Sequence, residues 1–557
     1  MTVEAPPAPP APVGAGPIPP ASPQETTSHG WLARLHLARA DLLAMVALLL
    51  VAFVLRFFSP ILPDFLAHPF SGPPITNCVS NTPVDAHGGR GTLCGLAYPY
   101  QPSGAPAGQP PSPPQGQVFD EIYFAVFAHD DLTGVSYFDP EPPLAKEVIA
   151  AGEWLDGWWR ATFEGASGNY ADLGFNTFGW RLSSAVFGTL CVPLMYLLAL
   201  QLWRDRRFAV AAATLVCFDG MFFIQSRIGM IDVIPIFLIL LAYTMFLIHL
   251  RARTERDALV TLVLTGFCCG LAVASKWIAL AALASIVFFL VMWPLARHLR
   301  IGLRRWSWGP LPGPALPGGA RAGLYAGLGI LAFLVLPAVI YLASWFPFFT
   351  RGQFHTLADV VRYNREAYIY HATLTATHPY GSAWFSWPFL VRPVLYYFQY
   401  QGLGVDAAGR PLVAGMVDLG NPLIWWASIP AVLSLLYFVL RHRSWPAAVI
   451  LVGFVSQYLP WARVTRVIFL YHMFGGLIFM VLALAFVLAR MSRAGPLEIE
   501  FFGDRRVLQT SWILPVFLAA VVLLFLYMYP VWTGLPISDT SYLGGFPAGK
   551  MWFRSWI

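Results

Sequence analysis

Apolar runs close to the length of a membrane span recur from one end of this sequence to the other. They fall at about 41–58, 182–203, 208–226, 232–250, 258–274, 277–293, 324–346, 423–440, 446–460, 467–489 and 511–530. A helix rises 1.5 Å per residue, so roughly 17–25 apolar residues cross about 30 Å of hydrocarbon. Eleven such runs predict an all-α polytopic membrane protein. Composition agrees: 57% of residues are hydrophobic and 11% charged, where a soluble domain carries about 25% charged residues. A water-soluble multidomain enzyme, a disordered chain and a fibrous protein are excluded. The net charge of +6 therefore reports topology before it reports any nucleic-acid partner.

When the runs alternate across a bilayer, the arginine-rich loops all fall on one side. Arg34 and Arg39 precede the first run. Arg204 to Arg207, Arg251 to Asp257, Arg297 to Arg321, Arg441 to Arg443 and Arg490 to Arg506 follow on the same side. The positive-inside rule makes that side cytoplasmic. Residues 1–40 then form a cytoplasmic tail, rich in Pro and Ala over 1–30 and without a charged region of the signal-peptide kind. Residues 41–557 form the transmembrane domain. Its opposite side carries two large loops, 59–180 and 347–422, and the C-terminal tail 531–557.

Cys191, Cys217, Cys268 and Cys269 lie inside apolar runs and read as packing residues. Cys78 and Cys94 share the first loop and would form a disulfide if that loop faces an oxidising compartment. Residues 71–118, rich in Pro, Gly, Ser and Gln, predict irregular chain. Two later stretches carry helical spacing: Phe119, Ile122, Tyr123, Val126 and Phe127, then Leu144, Val148, Ala151, Leu155 and Trp159. Asp139-Pro-Glu-Pro-Pro143 before the second stretch offers acidic caps and first-turn prolines. Two such helices, flanked by spans, are expected along the membrane surface.

The chemistry concentrates at the outer span ends. Asp120, Glu121, Asp139, Glu141, Lys146, Arg181, Arg227, Asp232, Lys276, Arg463 and Arg466 all fall there. Lys276 stands between two runs with almost no loop. It is either a cation snorkelling to the interface or a partner for a phosphate held at the bilayer surface. Asp120-Glu121 is either a helix cap or, with Asp139, a carboxylate set able to supply a general base beside a phosphate leaving group.

Several motifs extend this reading. Phe119-Asp-Glu-Ile-Tyr-Phe124, Phe138-Asp-Pro-Glu-Pro-Pro-Leu-Ala-Lys146, Arg181-Leu-Ser-Ser-Ala-Val-Phe-Gly188, Gln225-Ser-Arg-Ile-Gly-Met-Ile-Asp232 and Ala274-Ser-Lys-Trp277 occur in that order. Thr377-His-Pro-Tyr-Gly-Ser-Ala-Trp384 with Trp387-Pro388, Asn421-Pro-Leu-Ile-Trp-Trp426 and Arg466-Val-Ile-Phe-Leu-Tyr-His472 follow. Together they resemble the bacterial protein O-mannosyltransferases, glycosyltransferase family 39.

The resemblance implies the GT-C glycosyltransferase fold with eleven spans, an inside N-terminus and an outside C-terminus. It implies inverting transfer of a sugar, mannose first among candidates, from a polyprenyl-phosphate donor to Ser or Thr hydroxyls of exported proteins. The implied partners are the lipid-phosphate sugar, the acceptor protein and membrane lipid, with no nucleic acid. The implied place is the bacterial inner membrane, with the active site on its extracytoplasmic side. Carried over by position, Asp120 is the base, with Glu121 its neighbour and rival. Asp139, Lys146, Arg181, Arg227 and Lys276 bind the donor phosphate and sugar. His378, Trp384, Arg466 and His472 serve the acceptor or the structure.

Three positions depart from the family pattern. Tyr123 and Glu141 stand where it has His, and Ala145 where it has Gly. Tyr123 moves the motif toward lipid A aminoarabinose transferases, which share the fold. The second loop is too short for the β-trefoil domain of eukaryotic members. The alternatives are a related GT-C enzyme acting on a lipid or polysaccharide, and a lipid-sugar transporter. A transporter would carry mid-membrane polar residues and inverted repeats, and the sequence has neither. His371 and His378 have no accompanying carboxylate motif, so neither a metal nor a cofactor is expected.

Overall fold

The computed structural model describes residues 35, 37–57, 118–252, 254–298, 320–399, 403–501 and 504–556. The Cys78–Cys94 pair, most of the N-terminal tail and most of the irregular stretch 71–118 lie outside these residues.

The chain runs α1 (Arg39–Phe57), α2 (Glu121–Thr133), α3 (Leu144–Phe163), α4 (Tyr170–Gly174) and α5 (Thr177–Leu202). Then come α6 (Arg206–Cys217), α7 (Gly220–Gln225), α8 (Val233–Leu250), α9 (Glu255–Ser275) and α10 (Ala279–His298). α11 (Ala320–Ile330) and α12 (Leu336–Ala343) are joined by a π-turn at Leu331–Val335. The second loop holds α13 (Phe346–Thr350), α14 (Leu357–Thr373), β1 (Val394–Gln399) and β2 (Leu412–Asp418). α15 (Pro422–His442), α16 (Trp445–Tyr458) and α17 (Phe474–Met491) follow. The β3–β4 hairpin (Leu497–Phe501 and Asp504–Leu508), α18 (Ile513–Thr533), β5 (Ile537–Ser538) and α19 (Asp539–Leu543) complete the chain.

Among the described residues nine helical segments are long and apolar enough to cross a membrane. Each falls on one of the expected runs. The segment Leu470–Met491, which contains α17, forms the centre, with 94% of its most apolar stretch buried, while Gly323–Thr350 has 11% buried. α17 packs on α6, α15 and α16, and α8 packs on α5 and α9. The run at 277–293 becomes α10, a helix of 20 residues, and one run differs from expectation. The run at 208–226 breaks into α6 and α7.

Asp219 makes that break. One carboxylate oxygen accepts the Phe222 N–H and caps α7. The other accepts the Asn421 N–H at 3.1 Å and the Trp425 indole N–H at 2.9 Å. Gly220 follows because a Cβ there would stand 2.2 Å from the Leu419 carbonyl and 2.3 Å from the Trp532 ring.

The first loop forms the two expected helices, with two corrections. α3 exposes Trp154, Leu155, Trp159 and Phe163 on one face, as an interfacial helix does. α2 instead buries Glu121, Ile122, Phe124, Ala125, Val126, Ala128 and His129, so it is an enclosed helix beneath α3. The Asp139 carboxylate does not cap α3. It takes the Lys146 ammonium, which also donates to the Glu141 and Pro142 carbonyls at 3.0 Å each.

The second loop docks on the first. The Asp139 N–H donates to Tyr363 Oη at 2.7 Å, Gln353 donates to the Tyr137 carbonyl at 2.7 Å, and Arg351 pairs with Asp131. β1 and β2 form an antiparallel hairpin with a bulge between Leu395 and Tyr397. The chain end joins this layer. β5 pairs with β2, and the Trp556 indole, fully buried, donates to the Leu390 carbonyl at 2.7 Å. Both loops and the tail thus gather at one end of the bundle.

Candidate active site

The site begins with a strained turn. Phe119 adopts φ +49°, a left-handed conformation that costs a bulky residue about 1–3 kcal/mol. Its ring stacks on Tyr396 at 4.4 Å and meets the Tyr471 edge at 6.1 Å. The turn is closed by the Val118 N–H, which donates to Glu121 Oε2 at 2.8 Å.

Glu121 is wholly buried. Its carboxylate accepts Arg181 Nε–H and Nη2–H, both at 2.6 Å, in a two-point fork. It also accepts the Gly229 N–H at 2.6 Å. One carboxylate therefore ties together the first loop, the start of α5 and the α7–α8 connection. Four hydrogen bonds, two of them from a guanidinium, occupy both of its oxygens.

Asp120, its neighbour, occupies the N-cap position of α2, yet its side chain makes no cap hydrogen bond. It keeps part of its surface exposed. Burial raises its carboxyl to about 7, the Asp232 and Asp139 charges adding to the rise and Lys276 opposing it.

Lys276 ends α9 in extended conformation. Its ammonium donates to Asp232 at 2.7 Å and stands 3.9 Å from Glu141, so it is a paired cation at the span end. Arg466 lies nearby. Its one hydrogen bond goes to the Val467 carbonyl at 3.1 Å, and no carboxylate pairs with it among the described residues. His371, on α14, lies within 3.3 Å of the Pro140 carbonyl. Burial holds its imidazole below the usual range, with Arg466 and Lys276 adding to the effect against Glu141.

The structure thus brings Asp120, Glu121, Asp139, Lys146, Arg181, Lys276 and Arg466 to one end of the bundle. Arg227 is buried close by, with its guanidinium over the Phe223 ring at 5.0 Å. The other sequence-derived candidates join an aromatic layer instead. His378 accepts the Tyr380 N–H and meets Phe469 edge-on at 5.1 Å. Trp384 packs on Tyr458 at 5.1 Å. His472 is buried between Trp461 and Tyr471 and caps its own turn through Phe469.

Tyr396, Asp418 and Tyr363 belong to this end of the molecule and escaped sequence reasoning. Gln225 donates to Tyr396 Oη at 2.6 Å. Asp418 is fully buried beside Tyr396, and burial pushes its carboxyl well above the usual range. All three come from second-loop segments with no charge run or spacing signal.

By its likeness to solved structures and family models, this helical membrane protein, with two docked loops and a charged set at its span ends, is a membrane glycosyltransferase of the GT-C class. The donor-bound Pmt1–Pmt2 protein O-mannosyltransferase complex of Saccharomyces cerevisiae shares this fold. The TM-score is 0.66, and 94% of each chain is covered at 15% identity. Two family models match in succession: "Dolichyl-phosphate-mannose-protein mannosyltransferase" over residues 112–351, and the C-terminal four-span region of protein O-mannosyltransferase over 356–556. The chain belongs to the protein O-mannosyltransferase family. The polyprenol-phosphate-mannose–protein mannosyltransferase of Mycobacterium tuberculosis is 26% identical over 492 residues, 79% of this chain and 86% of the relative. The Corynebacterium glutamicum protein of the same name is 26% identical over 498 residues, 79% and 88%.

Proposed function

We propose that this protein transfers mannose from a polyprenyl-phosphate donor to Ser or Thr hydroxyls of exported proteins, with inversion at the anomeric carbon. The acceptor oxygen attacks the anomeric carbon as the bond to the phosphate oxygen breaks. The bonding pair leaves with the lipid phosphate, and the hydroxyl proton passes to Asp120. A phosphate leaving group needs no protonation, so one base and one cationic cradle suffice.

One observation carries this reading: of two adjacent acids, Asp120 alone keeps an uncommitted carboxylate at a partly exposed span end. Glu121 and Arg181 then act as the lock that positions it. Arg181 shifts from donor contact to positioning residue because its fork is engaged by Glu121. Lys276 and Arg466 are the cations facing the donor phosphate, with Asp232 orienting Lys276. Asp139 and Lys146 hold the loop that brings Glu141 to Lys276, and Arg227 supports the α7–α8 connection. His378, Trp384 and His472 shape the aromatic floor of the second loop.

The protein sits in the bacterial inner membrane, with residues 1–40 cytoplasmic. The loops 59–180 and 347–422 and the tail 531–557 are extracytoplasmic. The asymmetric distribution of arginine supports this orientation.

Purified protein given polyprenyl-phosphate mannose and a Thr-containing peptide should yield a mannosylated peptide with inverted anomeric configuration, read by mass spectrometry and NMR. Mannose appearing on a lipid or polysaccharide, with none on peptide, would overturn the acceptor assignment.

A further inference from the structure

The end of the bundle away from Asp120 holds a second polar site. α5 begins near Arg181 and runs 26 residues to Leu202, about 39 Å at 1.5 Å per residue. Where α5 ends and α6 begins, and where α17 ends and α18 begins, a cavity of about 490 Å³ opens. Arg207, Ser492, Arg493, Gln509, Thr510 and Ser511 line it, at the base of the β3–β4 hairpin.

Its charge is positive. Arg207 is exposed and donates to the Ser492 carbonyl at 2.8 Å, and among the described residues no carboxylate pairs with it. Arg493 pairs with Asp205 at 2.9 Å, but its side chain remains 54% exposed. Thr510 and Ser511 lie in the short turn just before α18, whose N-cap is Trp512, so the positive end of that helix dipole lies beside the cavity. Two guanidinium groups and a helix start facing one cavity favour a phosphate-type anion.

Position identifies the kind of anion. Trp512, next to the lining residue Ser511, is 66% exposed, and Val516 and Leu523 are 61% and 67% exposed. The spacing of four and seven residues puts them along one stripe of α18. An exposed Trp at a span end marks headgroup level, and an apolar stripe descending from the cavity rim suits acyl chains.

We propose that this cavity binds the phosphate headgroup of an anionic phospholipid in the leaflet opposite the catalytic end, with the acyl chains lying along Trp512, Val516 and Leu523. The site lies at the far ends of α5, α17 and α18 from the transfer site and is independent of it.

The test uses the full-length protein in detergent, titrated with phosphatidylglycerol, phosphatidylcholine or inorganic phosphate while bound lipid is counted by native mass spectrometry and the unfolding midpoint is followed. Phosphatidylglycerol should bind and raise the midpoint, with the other two far weaker. Arg207→Gln should weaken phosphatidylglycerol about tenfold, the size of one lost charge-assisted contact, while mannosyl transfer persists. Arg207→Lys should recover part of the affinity. Ser511→Asp, which sets a negative charge in the cavity and leaves the Arg207 contact to Ser492 intact, should also weaken it. Equal binding of phosphatidylcholine, an equal response to inorganic phosphate, or unchanged phosphatidylglycerol binding in both Arg207→Gln and Ser511→Asp would overturn the proposal.

Discussion

At Phe119 the backbone enters the left-handed region, and the residues on either side hold it there. Glu121 reaches back to the Val118 N–H and Tyr396 stacks on the ring, so the turn engages Glu121 while the Asp120 side chain makes no cap hydrogen bond. The sequence places the two acids side by side and says nothing to separate them. Their difference comes from partners 60 and 108 positions away, Arg181 and Gly229, which no local pattern can show. As the proposed base, Asp120 would work only when ionised. Its carboxyl sits at about 7, so the active form is lost as pH falls below that value. kcat/KM should therefore fall about tenfold per pH unit below 7 and flatten above it; a flat profile across that range would contradict the assignment. Glu121→Gln should act on stability instead. It leaves Arg181 buried without its counter-charge, a loss of about 3–5 kcal/mol for a broken buried pair. The unfolding midpoint should drop sharply, and replacing Arg181 by Met in the same chain should recover much of it.

Elements, more than residues, show where periodicity stops being informative. The run at 208–226 carries a single charged residue, Asp219, and hydropathy alone reads it as one span. Asp219 splits it because Asn421 and Trp425, from the start of α15, need its second oxygen. Gly220 allows the close approach that follows. Gly220→Ala should destabilise the protein by about 1–3 kcal/mol, as overpacking does, because the new carbon meets a backbone carbonyl and a fully buried indole. Gly323→Ala, which meets open space on α11, is the control and should leave the unfolding midpoint within a degree or so. α2 fails in a similar way. Its spacing reads as amphipathic, but α3 packs on it, and burial of most of its surface is a tertiary outcome that a single-helix pattern does not carry.

For the whole molecule, span parity was the strongest signal in the sequence. Loop arginines and apolar runs place Arg181, Asp232, Lys276 and Arg466 at one end of the bundle, and the structure assembles them there with Asp120. Loop length and polarity do not show how that end is closed. The pairing of β5 with β2, the burial of Trp556 under Leu390 and the bond from Asp139 to Tyr363 join segments more than a hundred residues apart. They make the two loops and the tail one lid-like layer over the charged set. The central claim is that this end carries out transfer through the Asp120 carboxylate while other groups hold the donor. Asp120→Asn tests it most directly, because the amide keeps the shape but cannot take the acceptor proton. Turnover of polyprenyl-phosphate mannose with peptide should fall about 10²–10⁴-fold, with donor Kd and unfolding midpoint close to those of the unmodified protein. Turnover within a few fold of the unmodified protein would contradict the account.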